Sequence, residues 1–140
     1  MSTAAQRSIA PDLFDPDGPV LRGGYSPTSG LHHFPKFARC PYSGADDVEP
    51  AELPTDATLW LWTAVTAAPP GYAGPVPFGF GVVELTNGLR LVTRITEPDP
   101  AALQPGAPMR LVADVVAVDD DGTEVVSWAF APGETKLGAA

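Results

Sequence analysis

The sequence predicts a mainly β protein built around a small five-stranded barrel. Seventeen prolines and fourteen glycines are scattered over the 140 residues, which favours short strands and many turns over long helices. Five strand-like runs follow residue 56, with a longer excursion between the third and the fourth. This spacing suits a small Greek-key barrel, which also removes exposed sheet edges, and a sandwich of two small sheets is the structural alternative.

The five runs differ in pattern but are all rich in Leu, Val, Thr or aromatic residues. They cover residues 57–67, 78–86, 89–96, 109–118 and 123–130. The third run alternates, with Leu91, Thr93 and Ile95 on one face and Arg90, Val92 and Arg94 on the other.

The connections between the runs carry turn signals. Asn87-Gly88 predicts a type I′ hairpin turn between the second and third runs. Asp99 is expected to cap a single helical turn that ends near Leu103. The acidic stretch Asp119-Asp120-Asp121 is expected to be a solvated turn, and a calcium loop is disfavoured because the remaining spacing of an EF-hand is missing.

The chain changes character near residue 50. Residues 1–20 are rich in Asp and Pro and are predicted to be an irregular N-terminal arm. Residues 21–50 contain Gly, Ser, His and aromatic residues without a useful period, and such a segment needs a metal, a neighbouring domain or a partner to pack against. The barrel domain is assigned to residues 51–132, and residues 133–140 are predicted to be a flexible tail.

The charge and the cysteine content exclude several classes of function. The net charge is -9 and the eight basic residues form no run, which argues against nucleic acid and against an anionic membrane surface as partners. Cys40 is the one cysteine, so no internal disulfide can form. Neither a signal-peptide core nor an apolar run of about 20 residues is visible, and a cytoplasmic protein is therefore expected.

Two short segments have the spacing of zinc knuckles. Residues 26–30 read Ser-Pro-Thr-Ser-Gly and residues 40–44 read Cys-Pro-Tyr-Ser-Gly, which is the Cys-x-x-Cys-Gly pattern with serines at three of the four ligand positions. Phe34-Pro35-Lys36-Phe37, between the knuckles, would cover such a hairpin.

The order of these features resembles a known family. Two knuckles with Phe34-Pro35 between them, then a five-strand barrel, are similar to the bacterial and archaeal zinc-ribbon/OB-fold proteins that are accessory subunits of thiolase-fold enzymes. The resemblance runs from about Gly24 to Pro132 and includes the stretches at residues 80–94, 103–109 and 128–132. It implies an OB-fold barrel, a thiolase-fold partner that brings the catalytic cysteine and histidines, and acyl-CoA at the shared interface.

The zinc ribbon of this chain is degenerate. The family's ligand positions fall on Ser26, Ser29, Cys40 and Ser43, and serine hydroxyls are poor zinc ligands. Cys40 with His32 and His33 is the remaining donor set, but adjacent histidines in a strand point to opposite faces. We therefore expect no metal, no other cofactor, and a hairpin held by side chains.

The sequence assigns no catalytic residue. Cys40 with His32 or His33 as its base would be the one nucleophile, but Cys40 occupies a former ligand position and a leftover structural thiol is favoured.

Candidate contacts with a partner or substrate lie in the barrel. Trp60 and Trp62 are predicted to share one face of the first run, with Leu59 and Leu61 on the other, so that the second face needs a cover from the N-terminal half or from another protein. The unusual loop from Pro69 to Phe78 adds Tyr72, Pro75 and Phe78, although it also reads as an ordinary connector.

Three further residues of the second and third runs are candidates. Gly79 and Gly81 flank Phe80 and indicate a sharply coiled strand rather than a pocket. Arg90 and Arg94 can meet the phosphates of CoA, whereas solvated surface arginines are the ordinary alternative.

Two classes of function remain at this point. The first is a non-catalytic accessory subunit that completes the active-site entrance of a thiolase-fold partner, with thiolysis, aldol chemistry and acyl transfer all open. The second is a stand-alone small-ligand-binding protein or enzyme with a pocket at the barrel. Oligonucleotide binding, which the barrel alone would suggest, is disfavoured by the charge.

Overall fold

The computed structural model describes residues 5–70, 76–99 and 101–133. These ranges hold ten strands: β1 (Gln6–Ser8), β2 (Phe14–Asp15), β3 (Val20–Ser26), β4 (Leu31–His33), β5 (Glu49–Glu52), β6 (Asp56–Val65), β7 (Phe78–Leu85), β8 (Arg90–Ile95), β9 (Pro108–Val118) and β10 (Glu124–Pro132). Within the described ranges there is no helix, and hence none long and apolar enough to cross a membrane.

Strands β6 to β10 close into a five-stranded barrel. β6, β7 and β8 form an antiparallel meander, and β8 meets β10 in parallel through Ile95 and Phe130. β9 then pairs antiparallel with both β10 and β6, which completes the circuit β6–β7–β8–β10–β9–β6. The predicted fold class, a mainly β chain with a five-stranded barrel consistent with the OB-fold, is therefore confirmed.

Apolar side chains at alternate strand positions fill this barrel, as the sequence pattern predicts. In β8, Leu91, Thr93 and Ile95 are buried, whereas Arg90 and Val92 are exposed. The same period-two pattern in β7 and β9 supplies most of the remaining inward-facing side chains. The barrel interior is thus a packed apolar core rather than an open pocket.

The N-terminal half packs on the barrel and shares its core. Phe14 and Leu21 are completely buried in the same cluster as Leu59 and Phe130. Phe34 packs edge-on against Trp128, with ring centroids 5.3 Å apart. The N-terminal half therefore covers part of the barrel, one of the two possibilities that the apolar strands left open.

Short strands organise the residues before the barrel. β3 pairs with β2, β4 and β5, all antiparallel. β1 lies parallel to β10 and extends the barrel sheet by one strand. The arm predicted to be irregular thus contributes β1 and β2, and strands of two or three residues are too short to produce a readable period.

The hairpin at Asn87-Gly88 joins β7 to β8 with a different turn from the one expected. Gly88 has φ +90°, but no residue other than glycine has positive φ among the described residues, so Asn87 does not. The N–H of Gly88 donates to Leu85 O, and the N–H of Leu85 donates to Leu89 O. The type I′ prediction is wrong: the connection is a three-residue loop in which only the glycine is left-handed.

Asp99 forms a turn and does not begin a helix. Its side chain accepts a hydrogen bond from the N–H of Ala101 at 2.9 Å, and the N–H of Ala102 donates to its carbonyl at 3.0 Å. The predicted capping contact is present, but residues 101–103 are not helical.

A β-bulge interrupts β6 at Trp60. Leu59 pairs with Val83, but Leu61 pairs with the next residue back, Val82, which leaves Trp60 as an extra residue. The alternation is inverted beyond this point. The prediction that Trp60 and Trp62 share one face opposite the two leucines is therefore wrong.

Strand β7 lies very close to the bulged part of β6. A Cβ atom on Gly81 would collide with the carbonyl oxygen of Leu61 and would lie 2.6 Å from Trp62 Cβ. A Cβ on Gly79 would lie 2.8 Å from Ile95 Cβ. The two glycines therefore mark a sharply coiled strand with no spare volume, as expected.

Candidate functional site

The four positions that the resemblance equates with zinc ligands, Ser26, Ser29, Cys40 and Ser43, are brought together and joined by hydrogen bonds. The buried Ser26 hydroxyl donates to Asp47 Oδ1 at 2.6 Å and accepts the N–H of Ser29 at 3.4 Å. Cys40 Sγ and Ser29 Oγ are hydrogen-bonded at 3.4 Å, and Ser43 also hydrogen-bonds the thiol. Hydrogen bonds thus connect the two knuckles, a role that metal–ligand bonds have in a zinc ribbon.

Asp47 is the residue of this cluster that the sequence did not reveal. Its carboxylate also accepts the backbone N–H of Thr28 at 2.9 Å and the Thr28 hydroxyl at 2.7 Å. The hydroxyls of Ser26 and Thr28 hold the pKa of Asp47 below its usual value. A carboxylate with such donors stays ionised and ties the first knuckle to the loop before β5.

Cys40 carries an acidic thiol. Burial alone would raise its pKa, but hydrogen bonds from the Ser29 and Ser43 hydroxyls and from backbone N–H groups at Tyr42 and Ser43 outweigh it and lower the pKa to about 6. The side-chain partners of the thiol are hydroxyls rather than an imidazole, and its sulfur is buried. An acidic thiol can be reactive, but burial of this one within the two knuckles limits the access of a substrate, which favours a structural role.

The two histidines of β4 are used separately. His33 is buried, accepts the N–H of Phe37 on Nε2 at 3.3 Å and stacks on the Phe37 ring. Burial, with a smaller effect of Lys36, lowers the pKa of His33, which keeps it neutral. His32 stacks against Tyr25 with ring centroids 4.7 Å apart. Within the described residues no three His, Cys, Asp or Glu side chains are grouped closely enough to hold a metal ion.

The outer side of β6–β8 exposes a continuous apolar surface, which we call the outer barrel face. It consists of Trp60, Leu61, Phe80, Val82 and Val92. Trp60, Leu61, Phe80 and Val92 are 46%, 53%, 42% and 65% exposed. Leu61, Val82 and Val92 lie side by side in the registers of β6 with β7 and of β7 with β8. Patches of this kind on a small protein are often functional.

Trp62 is not part of this exposed surface. Its ring packs partly against the core, and its indole N–H donates to Leu103 O at 3.2 Å. The bulge therefore separates the two tryptophans, with Trp60 outside and Trp62 turned towards the barrel.

The two candidate arginines of β8 differ in how freely they can meet a ligand. Arg90 Nε donates to Glu84 Oε1 at 3.0 Å, and its guanidinium lies 3.7 Å over the Trp60 ring, with half of the side chain exposed. Arg94 is 12% exposed, donates to Asp114 Oδ2 at 2.7 Å and lies 4.5 Å over the Phe78 ring. Arg90 is the more accessible of the two.

An open cleft of about 440 Å³ lies between the N-terminal half and the barrel. Residues 30–32 and Tyr42 line one side, and residues 87–90 line the other. The Tyr42 hydroxyl donates to His32 O at 3.1 Å and fixes that wall. Arg90 belongs both to this cleft and to the edge of the outer barrel face, so that the two surfaces are continuous.

Carboxylates of the acidic turn between β9 and β10 are bound by other groups of the protein. Arg7 binds Asp119 through Nε at 2.8 Å, and Asp121 accepts the N–H of Thr123 at 2.9 Å. The hydrogen bond from Arg7 holds the pKa of Asp119 below its usual value. Asp119 and Asp121 thus have hydrogen-bond partners within the protein.

The loop between β6 and β7 holds the remaining sequence candidates. Tyr72 and Pro75 lie outside the described residues. Phe78, at the start of β7, is half-buried beneath Arg94. Sequence reasoning missed Leu61 as a surface residue, because the bulge that exposes it leaves no signal in the sequence. The alternation placed Val92 on the outer face, but Val92 was not singled out as a contact residue.

Comparison with known proteins agrees with this geometry. Residues 51–114 match the family of ChsH2 C-terminal OB-fold domains. A DUF35 domain-containing scaffold protein from Pyrococcus furiosus is 25% identical over 100 residues, which cover 71% of this chain and 74% of the relative. The solved structure of the Ltp2-ChsH2(DUF35) aldolase has the same fold, with a TM-score of 0.60 and 24% identity over 81% of this chain and 84% of that one.

These matches support the resemblance to the ChsH2 and DUF35 group for the OB-fold part of the chain. A zinc ribbon is not supported: three of the four ligand positions are serines in a hydrogen-bonded cluster.

Proposed function

We propose that this chain is a non-catalytic accessory subunit of a thiolase-fold enzyme that forms or cleaves C–C bonds of acyl-CoA thioesters. The observation that carries the proposal is the match of residues 51–114 to the ChsH2 C-terminal OB-fold domain, a name that recurs in the Ltp2-ChsH2(DUF35) aldolase. The scaffold description of the Pyrococcus furiosus relative points the same way.

The side chains of the described residues support a non-catalytic role. The buried thiolate of Cys40 is hydrogen-bonded to serines, and the neutral His33 is stacked on Phe37. Nucleophile, base and orienting group are not assembled anywhere in the described part of the chain, and acyl transfer or C–C chemistry needs them. The catalytic groups would therefore come from the partner.

The candidate contact residues take different roles in this proposal. Trp60 and Phe80 are exposed and available to a partner or to substrate, and Phe78 borders them. Trp62 would support this surface from below. Tyr72 and Pro75 are proposed to contact the partner or the substrate from the β6–β7 loop.

Acyl-CoA would bind at the shared interface, with Arg90 and Arg94 as the candidate phosphate contacts. Arg90 is the stronger candidate, because its side chain is half exposed and already oriented by Glu84 and Trp60. Arg94 would act closer to the surface's edge and keep its bond to Asp114.

The ribbon-like segment serves as a metal-free support in this proposal. The Ser26–Asp47 and Cys40–Ser29 bonds would fix the knuckles that one wall of the cleft follows. We propose no cofactor in this chain, no nucleic-acid or membrane partner, and a cytoplasmic location.

The test is co-expression with a thiolase-fold protein from the same genome, followed by size-exclusion chromatography with light scattering. The proposal expects a stable hetero-oligomer. It is wrong if both proteins fold but elute separately at micromolar concentrations.

The alternative function is a stand-alone small-ligand-binding protein or enzyme, and the open cleft of about 440 Å³ favours it. A volume of this size is within the range of small-molecule sites. Turnover or saturable ligand binding by the purified chain alone, lost in Tyr42→Ala, would support this alternative over the accessory role.

A further inference from the structure

We propose that the catalytic subunit docks on the outer barrel face, and that its docking surface is apolar at the centre and neutral or basic around it. The inference rests on the proposed function and adds where the partner binds and which chemistry it presents. It assigns a contact role to Leu61 and Val92 in addition to Trp60 and Phe80.

The first argument is the alignment of the exposed side chains. Leu61, Val82 and Val92 form one row across β6, β7 and β8. Phe80 lies in the next row, between Thr63 and Arg94. Large apolar groups on three adjacent strands form a continuous patch, whereas isolated exposed residues would be scattered.

The second argument is the β-bulge. Without the extra residue at Trp60, Leu61 would continue the inward pattern set by Leu59. Bulges re-aim side chains and recur next to functional sites. Here the bulge places two large apolar residues, Trp60 and Leu61, side by side in contact with water. Exposure of apolar surface is unfavourable, so a binding function is the simplest explanation of this arrangement.

The third argument is that the edge of the face is already ordered. The guanidinium carbon of Arg90 lies 3.7 Å from the centre of the Trp60 ring, and Arg90 Nε donates to Glu84 Oε1 at 3.0 Å. Trp and Arg are the residues most often found at the energetic centre of protein interfaces. A side chain that is fixed before binding loses little conformational freedom when a partner arrives.

The size of the face indicates a partner larger than a second copy of this chain. From the exposed fractions, its side chains offer on the order of 400 Å² of apolar surface, whereas a stable interface needs about 800 Å² from each partner. Two such faces packed together fall short of that requirement. A larger subunit can continue from Arg90 into the adjoining cleft, where Leu31 and Tyr42 are also exposed.

The charge distribution selects the same occupant. On and beside the face, Arg90 is balanced by Glu84 and Arg94 by Asp114. The chain as a whole carries -9, so two copies repel each other, whereas a basic partner is attracted and a neutral one is not repelled.

The experiment compares two exposed valines. Val92 in the face and Val118 at the far end of β9 are 65% and 61% exposed, so a glutamate at either position stays in contact with water and is not buried in the core. Binding of wild type, Val92→Glu and Val118→Glu to the thiolase-fold protein of the co-expression test is measured by calorimetry, with circular dichroism as the check on folding. We expect Val92→Glu to weaken binding by about a hundredfold and Val118→Glu by less than about threefold.

Each outcome supports or overturns the inference. If wild type binds and Val92→Glu binds equally well, the docking surface is wrong while the accessory function stands. If wild type does not bind, both proposals fall. If the chain alone is a dimer that Val92→Glu converts to a monomer, the face is occupied by a second copy and the assignment to the catalytic subunit is overturned.

Discussion

Replacing Gly81 by alanine tests the structural basis of the outer barrel face. The new methyl group would meet the carbonyl oxygen of Leu61 and would lie 2.6 Å from Trp62 Cβ, both in the bulged part of β6. Gly81 does not have positive φ, so the alanine itself is not strained. The collision is with backbone and with an atom next to it, which cannot move without disturbing the pairing of β6 with β7.

The magnitude follows from two opposing effects. Overpacking by one methyl group costs about 1–3 kcal/mol. Replacing glycine stabilises by about 0.4–1 kcal/mol, because the unfolded chain loses freedom. We therefore expect Gly81→Ala to lower the free energy of unfolding by about 1–2 kcal/mol, which corresponds to a fall in Tm of roughly 4–8 °C.

Urea denaturation followed by tryptophan fluorescence measures the change. Gly133→Ala is the matched control, since its Cβ would meet nothing closer than 3.4 Å and its backbone is also without positive φ. The control should be neutral or slightly stabilised. If Gly81→Ala is as stable as Gly133→Ala, the close approach of β7 to the bulge is refuted.

Further predictions concern the hairpin and the ribbon. Gly88→Val places a β-branched residue at φ +90° and should cost about 1–3 kcal/mol in urea denaturation, so an unchanged midpoint would exclude the left-handed loop. Purified protein should contain far less than one zinc per chain by atomic emission, and a stoichiometric zinc that Cys40→Ser removes would contradict the metal-free cluster. Folding lowers the pKa of the Cys40 thiol from a reference value of 9.0 to about 6. The ionised thiol therefore stabilises the folded state fully above pH 9, and this stabilisation is lost as the pH falls through 6. Wild type should therefore gain stability between pH 6 and pH 9 while Cys40→Ser does not, and parallel profiles would refute the thiolate. Cys40→Ser should leave the partner's turnover unchanged, and a loss of several orders of magnitude with the fold intact would make Cys40 a nucleophile.

The barrel was predictable because its strands alternate clearly. The inward positions Leu91 and Ile95 and the outward positions Arg90 and Val92 follow directly from the period of two. The order of strands and turn signals was enough for the closed five-stranded fold. The type of loop at Asn87-Gly88 could not be predicted, because a glycine with positive φ occurs both in a type I′ turn and in a three-residue loop.

The candidate surface was only partly predictable. Trp60 and Phe80 were found as large residues in strands, but the face of Leu61 depends on one inserted residue in the pairing of β6 with β7. Register depends on how two strands pair, so the sequence of one strand alone does not reveal it. Asp47 was missed for a similar reason: its partner Ser26 is 21 residues away in the sequence.

The central claim is that this chain completes a thiolase-fold enzyme without contributing catalytic groups. The most direct measurement titrates the purified chain into a purified thiolase-fold protein from the same genome and follows thiolysis or retro-aldol cleavage of acyl-CoA substrates. The account predicts no turnover by the chain alone and a saturable rise in the partner's rate that ends at a fixed stoichiometry. Turnover by the chain alone, or a partner rate that does not change at any ratio, would contradict it.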